Sequence, residues 1–258
     1  MLSAPDPSTN YLKALKQRQP GTGIWFLESE QYAKWKTGLI SSIWLHGIPG
    51  CGKTVLSSTI LQNLYQYCDG DPGKATVYFY FDFKDVQKQD PELMLRSLIC
   101  QLSQQCVQIP VGLDTFLSSY ENGRQPPQHA LLELMQQIIR GLPQSYIILD
   151  ALDECKDCAE LMNVLEAIAG WQLENLHTLM TSRRERDIES FLECFIEKQN
   201  IIGLQSQVVD KDIQSYVRHR LSNDKSLSKW KKDSTVVQEI ETALMNGAHG
   251  MYLYALPA

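Results

Sequence analysis

No run among the 258 residues approaches the roughly 18 consecutive apolar positions that a bilayer-spanning helix requires. The opening MLSAPDPSTN has neither the basic start nor the apolar stretch of a secretory signal. A cytoplasmic protein without a membrane partner is the expectation. Basic charge is also short: 24 Lys and Arg stand against 30 Asp and Glu, a net charge of −6. Such a field repels polyanions and argues against nucleic acid as a partner. A disulfide framework is missing as well, since the 7 cysteines are odd in number and spread along a long chain, so reduced thiols are expected. Cys155 and Cys158 form one C-x-x-C, but no second pair stands at zinc-site spacing. The pair lies in an acidic run that leads into a helix, so neither metal nor redox chemistry is expected there. Internal repeats and low-complexity tracts are absent too. What remains, 43% hydrophobic and 21% charged residues, is the composition of a globular chain with a sizeable core.

Strand-like and helix-like segments alternate along that chain, which predicts an α/β fold with a mainly parallel sheet. Residues 1–10, rich in Ser, Pro and Asn, are expected to be disordered. The first strand is Ser42–Gly47, a short apolar run that ends in glycine, and Val55–Tyr67 follows with apolar residues on one helical face. Ala75–Phe83 is a second strand, dense in aromatic and β-branched residues, behind a turn at Asp69–Gly73. Helices over Pro91–Cys106 and Ala130–Gly141 precede the third strand, Tyr146–Asp150. A helix over Ala159–Gly170, a fourth strand at His177–Ser182 and a fifth at Ile201–Leu204 complete the alternation. Beyond about residue 209 only helical patterns remain, Asp210–Leu221 and Val236–Ala255, enough for a small lid.

Gly47-Ile48-Pro49-Gly50-Cys51-Gly52-Lys53-Thr54 fits the pattern G-x-x-x-x-G-K-[ST] and sits between an apolar strand and the amphipathic helix that Val55 continues. Its glycines let the backbone curl so that amides from Gly50 to Thr54 face phosphate oxygens, with the positive end of the helix dipole behind them. Lys53 would reach the β- and γ-phosphates, and the Thr54 hydroxyl would ligate Mg2+. The alternative is a glycine turn with a lysine on a solvated helix start, which the flanking strand and helix disfavour. Asp150 closes the third strand and would hold the metal with Thr54. Asp153 and Glu154, three and four residues on, are placed to polarise an attacking water; the competing role is to cap the following helix. Arg183, at the end of the fourth strand in Leu179-Met180-Thr181-Ser182-Arg183, would face the γ-phosphate.

At these spacings GIPGCGKT, DALDE and LMTSR together resemble the NACHT NTPases of the STAND class of P-loop proteins, closest to the fungal branch and similar to the N-terminal NTPase domain of nephrocystin-type proteins. Residues 21–28, Trp35, Tyr78–Phe83 and Gly250–Tyr254 agree with it, and the likeness covers roughly residues 11–255. It implies a five-stranded sheet in the order 5-1-4-3-2, ATP or GTP bound with Mg2+, slow hydrolysis, and a switch between closed and self-associated states read by protein partners. The resemblance also puts Thr22 and Gly23 beside the base, with Trp25 either covering it or packed in the core. The nucleotide-binding set is then Gly47, Gly50, Cys51, Gly52, Lys53, Thr54, Val55, Thr22 and Gly23. Family members usually continue into a winged helix and repeats, so residues 11–208 are expected to be the NTPase core and 209–258 a lid cut short. A small-molecule kinase and a nucleotide-binding scaffold that never hydrolyses are the alternatives. The tandem acids favour water activation over the kinase, and no acceptor motif follows the second strand.

Overall fold

A computed structural model of the chain describes residues 4–106, 116, 120, 126–204, 207–223 and 237–243. Strands β1 (Ser42–His46), β2 (Lys74–Tyr80), β3 (Gln144–Asp150), β4 (Leu176–Ser182) and β5 (Ile201–Gly203) form one sheet in the order β2-β3-β4-β1-β5. Every pairing in it is parallel. Counted from the other edge, this is the order 5-1-4-3-2 that the resemblance implied. β3 pairs with β4 up to Leu149 beside Met180, and β1 with β4 up to His46 beside Ser182. The C-terminal ends of β1, β3 and β4 therefore stand together on one edge, where open parallel sheets bind ligands.

Both faces of the sheet are covered, as parallel strands demand, and the strand residues alternate between two cores. Trp44, Val77, Phe79, Ile147, Leu149 and Met180 pack on one side with α5 (Pro91–Gln105), α6 (Gln128–Arg140), α7 (Cys158–Gly170) and α8 (Arg186–Leu192). Ile43, Leu45, Tyr78, Tyr80, Ile148 and Leu179 pack on the other with α2 (Ile24–Leu27), α3 (Glu30–Lys36), α4 (Lys53–Cys68) and α9 (Gln207–Asn223). Local chemistry starts these helices. Asp90 Oδ1 accepts the Glu92 and Leu93 amides in front of α5, with Pro91 in the first turn, and Asp157 accepts the Glu160 amide in front of α7, the arrangement of a side-chain N-cap.

Three expectations are corrected. β2 ends at Tyr80 rather than Phe83: the Phe81 amide still donates to the Asp150 carbonyl at 3.0 Å, but at Asp82 the chain turns. There the Asp82 carboxylate accepts the Lys84 amide at 2.9 Å, which leaves Phe83 64% exposed. α4 begins at Lys53, two residues before the apolar pattern does, because its first turn is polar. Residues 4–10 are not disordered. Asp6 accepts the Ser8 amide at 2.8 Å and α1 (Ser8–Gln17) follows. The Pro5 carbonyl accepts from Ser97 Oγ at 3.2 Å and Asn10 Nδ2 donates to Asp82 Oδ2 at 2.9 Å. Buried Lys88 donates to Thr9 Oγ1 at 2.7 Å. A Ser/Pro/Asn stretch looks unstructured when its partners lie some 70–90 residues away in sequence.

The C-terminal pattern is partly described. α9 spans the expected Asp210–Leu221 and buries Ile213 and Val217 against the core on the α4 side. Residues 237–243 are helical, and the rest of Val236–Ala255 lies outside the described residues. Among the described residues no helix is long and apolar enough to cross a membrane.

Two side chains fix the segment before β1 to the sheet. Trp35 is fully buried and its indole N–H donates to the Thr178 carbonyl at 3.0 Å, while the Tyr146 hydroxyl donates to the Lys36 carbonyl at 2.6 Å. Trp35→Ala removes a large buried side chain and leaves a cavity beneath β4, so unfolding in urea should show a loss of about 3–5 kcal/mol. A loss within 1 kcal/mol (~) would mean that α3 contributes little to the core.

Candidate functional site

The loop between β1 and α4 crosses the sheet edge where β1, β3 and β4 end. Gly50 and Gly52 have φ of +72° and +93°, a region that L side chains enter at a cost. Gly47 is required for a different reason: a Cβ there would lie 2.6 Å from Cys51 Sγ and 3.2 Å from Leu204 Cβ. The loop is thus pressed against buried Cys51 and the chain beyond β5, and burial pushes the Cys51 thiol up. Leu56 donates to the Gly52 carbonyl at 2.9 Å, so the amides ahead of it in α4 have no acceptor further back in the helix. Lys53 is 9% exposed and its Nζ lies across the loop, donating to the carbonyls of Gly47 at 2.8 Å and Ile48 at 3.0 Å.

Asp150 lies behind the start of α4, 1% exposed. Its Oδ2 accepts from Thr54 Oγ1 and its Oδ1 from Thr181 Oγ1, both at 2.7 Å. Thr181 Oγ1 in turn accepts the Ala151 amide at 3.0 Å. Burial pushes the Asp150 carboxyl up, while the two hydroxyls and the Lys53 charge oppose that shift. Ala151 then takes φ +59°, a left-handed conformation costing roughly 1–2 kcal/mol for an L residue. It turns the chain into a short 3-10 segment, Leu152–Glu154, above the sheet edge.

Asp153 and Glu154 do not cap the helix that follows, since Asp157 does. Asp153 instead grips Arg183 twice: Oδ1 accepts its amide at 2.9 Å, and Oδ2 pairs with Nε at 2.9 Å. Glu154 Oε2 accepts the Phe83 amide at 3.0 Å, and burial, with neighbouring carboxylates, raises its carboxyl. The next residue, Cys155, donates to the Gln89 carbonyl at 3.2 Å, with its thiol pushed up to about 12 by burial. At neutral pH that is a thiol, the form that neither attacks nor ligates.

These parts surround a cavity of about 880 Å³. Its lining includes Gly50, Cys51, Gly52, Lys53, Thr54 and Val55 of the loop and α4, Asp153, Glu154 and Arg183 beyond β3 and β4, and Thr22, Gly23 and Trp25. Gly47 and Asp150 lie outside the lining: Gly47 acts through its carbonyl on Lys53, and Asp150 through Thr54. Trp25 is half-buried against Phe26 and also borders the cavity. Two participants had not been singled out for these roles. Thr181 could have been found as a hydroxyl at the end of the strand beside Asp150. Asp212 of α9 had no local signal, yet its Oδ2 accepts the Gly23 amide at 2.7 Å and the Trp25 indole N–H at 3.1 Å.

Residues 21–183, more than half of the chain, match the family described as Nephrocystin 3, N-terminal. The chain belongs to the nephrocystin 3 N-terminal family. Over 249 residues the nephrocystin-family domain is 27% identical to the vegetative incompatibility protein HET-E-1 of Podospora anserina, covering 89% of this chain and 17% of that protein. The chain therefore spans less than a fifth of that relative's length. Solved structures similar to it include domain III of the Thermotoga maritima replication initiation protein DnaA, with a TM-score of 0.46, 12% identity, and 95% of this chain and 84% of that one covered. The Aeropyrum pernix ORC1 protein in complex with DNA gives a TM-score of 0.44 and 11% identity over 87% of this chain and 56% of that one. Family and relative bear out the resemblance to the fungal NACHT-like NTPases. The nephrocystin-family domain is a P-loop α/β domain of the nucleotide-binding NTPase type.

Thr181→Val tests the bracing of Asp150. The change keeps the shape, removes one donor to a buried carboxylate and strands the Ala151 amide, so unfolding should show a loss of about 1–3 kcal/mol. The same change at Thr178, whose hydroxyl donates only to Ser42 Oγ at 2.9 Å, should cost less. Equal effects would mean that Asp150 does not depend on Thr181.

Proposed function

We propose that the domain is a nucleotide-driven switch that binds ATP or GTP with Mg2+, hydrolyses it slowly, and serves as the core of a larger STAND-type regulator in the cytoplasm, with self-association and protein partners as its output. The observation that carries this reading is the Thr54–Asp150 pair, a hydroxyl and a carboxylate 2.7 Å apart where the glycine loop enters α4. The donor set fits the metal: both are hard oxygen groups, and Mg2+ in nucleotide sites takes one or two protein oxygens besides water and phosphate. The loop fits the phosphates, because its bends use glycine at Gly50 and Gly52 and first-turn amides lack helical acceptors.

When bound, Mg-nucleotide supplies an activated terminal phosphoryl group and the charge that must be stabilised as it leaves. The remaining work belongs to the chain. Lys53 exchanges the Gly47 and Ile48 carbonyls for phosphate oxygens, a stronger charge-assisted contact. Thr54 and Asp150 hold the metal side. Of the two acids beyond Ala151, Asp153 has both oxygens on Arg183 and would position it to meet the γ-phosphate of a bound nucleotide. Glu154 is bound through Oε2 alone, and its raised carboxyl is nearer the working pH of a base that positions and deprotonates water.

Lys53→Ala should weaken Mg-nucleotide binding without lowering thermal stability by more than a few degrees. Calorimetric titration reads the first and melting the second; unchanged affinity for both ATP and GTP would remove the loop from the site. Glu154→Gln should keep the nucleotide bound and slow single-turnover hydrolysis by about 10²–10⁴. Asp150→Asn should instead weaken metal-dependent binding and hydrolysis together. Hydrolysis at wild-type rate in Glu154→Gln would leave binding without catalysis at this residue.

A further inference from the structure

Resting on the reading that Thr54 and Asp150 hold Mg2+, the hydroxyl layer behind them can be followed proton by proton. Thr54 donates to Asp150 Oδ2 and Thr181 to Oδ1. Ser58 donates to the Thr54 carbonyl at 2.8 Å. Its one proton is spent there, so the 2.9 Å contact between Ser58 Oγ and the buried Tyr80 hydroxyl uses the tyrosine proton. Thr59 donates to the Val55 carbonyl at 2.9 Å, a common bond for a hydroxyl inside a helix. Ser57 breaks this run. Its side chain is fully buried, yet among the described residues no partner lies within hydrogen-bond distance of its Oγ.

A buried hydroxyl left unmet works against folding, and this one faces a group that is short of donors. Ser57 stands one turn along α4 from Thr54, on the same face of the helix. Burial raises the Asp150 carboxyl, and Thr181, Thr54, Lys53 and then Ser57 oppose that shift. Burial and the Asp150 charge raise the Tyr80 hydroxyl, against Ser58 and Ser57. The Ser57 hydroxyl thus has two acceptors near it, and of these the charged one makes the stronger bond. A carboxylate can accept about four hydrogen bonds, so Asp150 has room for it. Holding a cation draws on the oxygen that Thr54 now occupies. A further donor then keeps the carboxylate from turning, as hydrogen bonds behind a metal ligand do, and Ser57 has the uncommitted proton. We propose that Ser57 is a positioning residue that donates to Asp150 once Mg2+ is bound and so sets the domain's affinity for the metal.

Calorimetric titration of the whole chain with ATP and GTP, each with Mg2+ and with EDTA, tests this, and melting without nucleotide or metal reports the resting state. Ser57→Ala should weaken Mg2+-dependent binding about 10–100-fold and leave binding in EDTA unchanged. It should melt no lower than wild type, because the hydroxyl it removes is unmet at rest. Ser57→Cys is close in size but a weak donor; it should follow Ser57→Ala, which separates donation from packing. Unchanged binding by Ser57→Ala with Mg2+ would overturn the proposal. Equal weakening with Mg2+ and with EDTA would do so too, as would a lower melting temperature in both variants, the marks of a packing role or of a hydroxyl already bonded at rest. Wild-type binding that gains nothing from Mg2+ would overturn the Thr54–Asp150 metal reading beneath it instead.

Discussion

A carboxylate with almost no water around it organises this molecule. Asp150 is held by one hydroxyl from the start of α4 and one from the end of β4, so three elements must meet within hydrogen-bond distance or a buried charge is left unmet. That requirement fixes the sheet order locally: β4 has to lie beside β3, and the loop after β1 has to deliver Thr54 to the same place. Thr181 also accepts the Ala151 amide, which steers the chain out of β3 in a left-handed turn. Everything on the acidic wall of the cavity, Asp153 and Glu154 included, takes its position from that turn.

The sheet was legible because its strands are buried on both sides. ATVYFYF and YIILD read as near-continuous apolar runs, and few other structures suit such runs between helical patterns. The loop was legible for a related reason, since its glycines and lysine occupy fixed places relative to a strand end and a helix start. What stayed hidden is what depends on two distant segments meeting. Asp153 could serve as base, cap or ion-pair partner until β4 brought Arg183 beside it. Asp212 lies in a polar helix and shows its role only where that helix crosses Gly23 and Trp25. Residues 4–10 have a composition typical of loose termini, and they are ordered by Ser97, Lys88 and Asp82, none of them a local neighbour.

The loop and the 21–25 segment, both lining the cavity, are held by different physics. At the loop end the backbone itself is constrained, by left-handed glycines, by Gly47 packed on Cys51 and Leu204, and by a helix whose first turn is anchored to β3. Movement there would break sheet contacts and cost several kcal/mol (~). At the 21–25 segment two hydrogen bonds to one oxygen of Asp212 join it to α9. Exchanging them for ligand contacts involves about 1–3 kcal/mol each at most. A ligand that touches both the loop and the 21–25 segment would therefore meet a rigid socket for one part of itself and an adjustable one for the other.

The support of Glu154 extends further than its own turn. Its carboxylate rests on the Phe83 amide, and Phe83 belongs to the turn that follows β2. That turn is tied down by Gln89, whose Nε2 donates to the Phe83 carbonyl at 2.8 Å, and by Asn10 on Asp82. Lys88, buried beneath it, binds Thr9. Helix α1 thus reaches Glu154 through two hydrogen bonds, Asn10 to Asp82 and Phe83 to Glu154, joined by the peptide bond between Asp82 and Phe83. On the proposed reading Glu154 places a water, and a side chain with that task needs its own support fixed first. The N-terminal segment is part of that support through Asn10 and Thr9, whose polar groups meet Asp82 and Lys88.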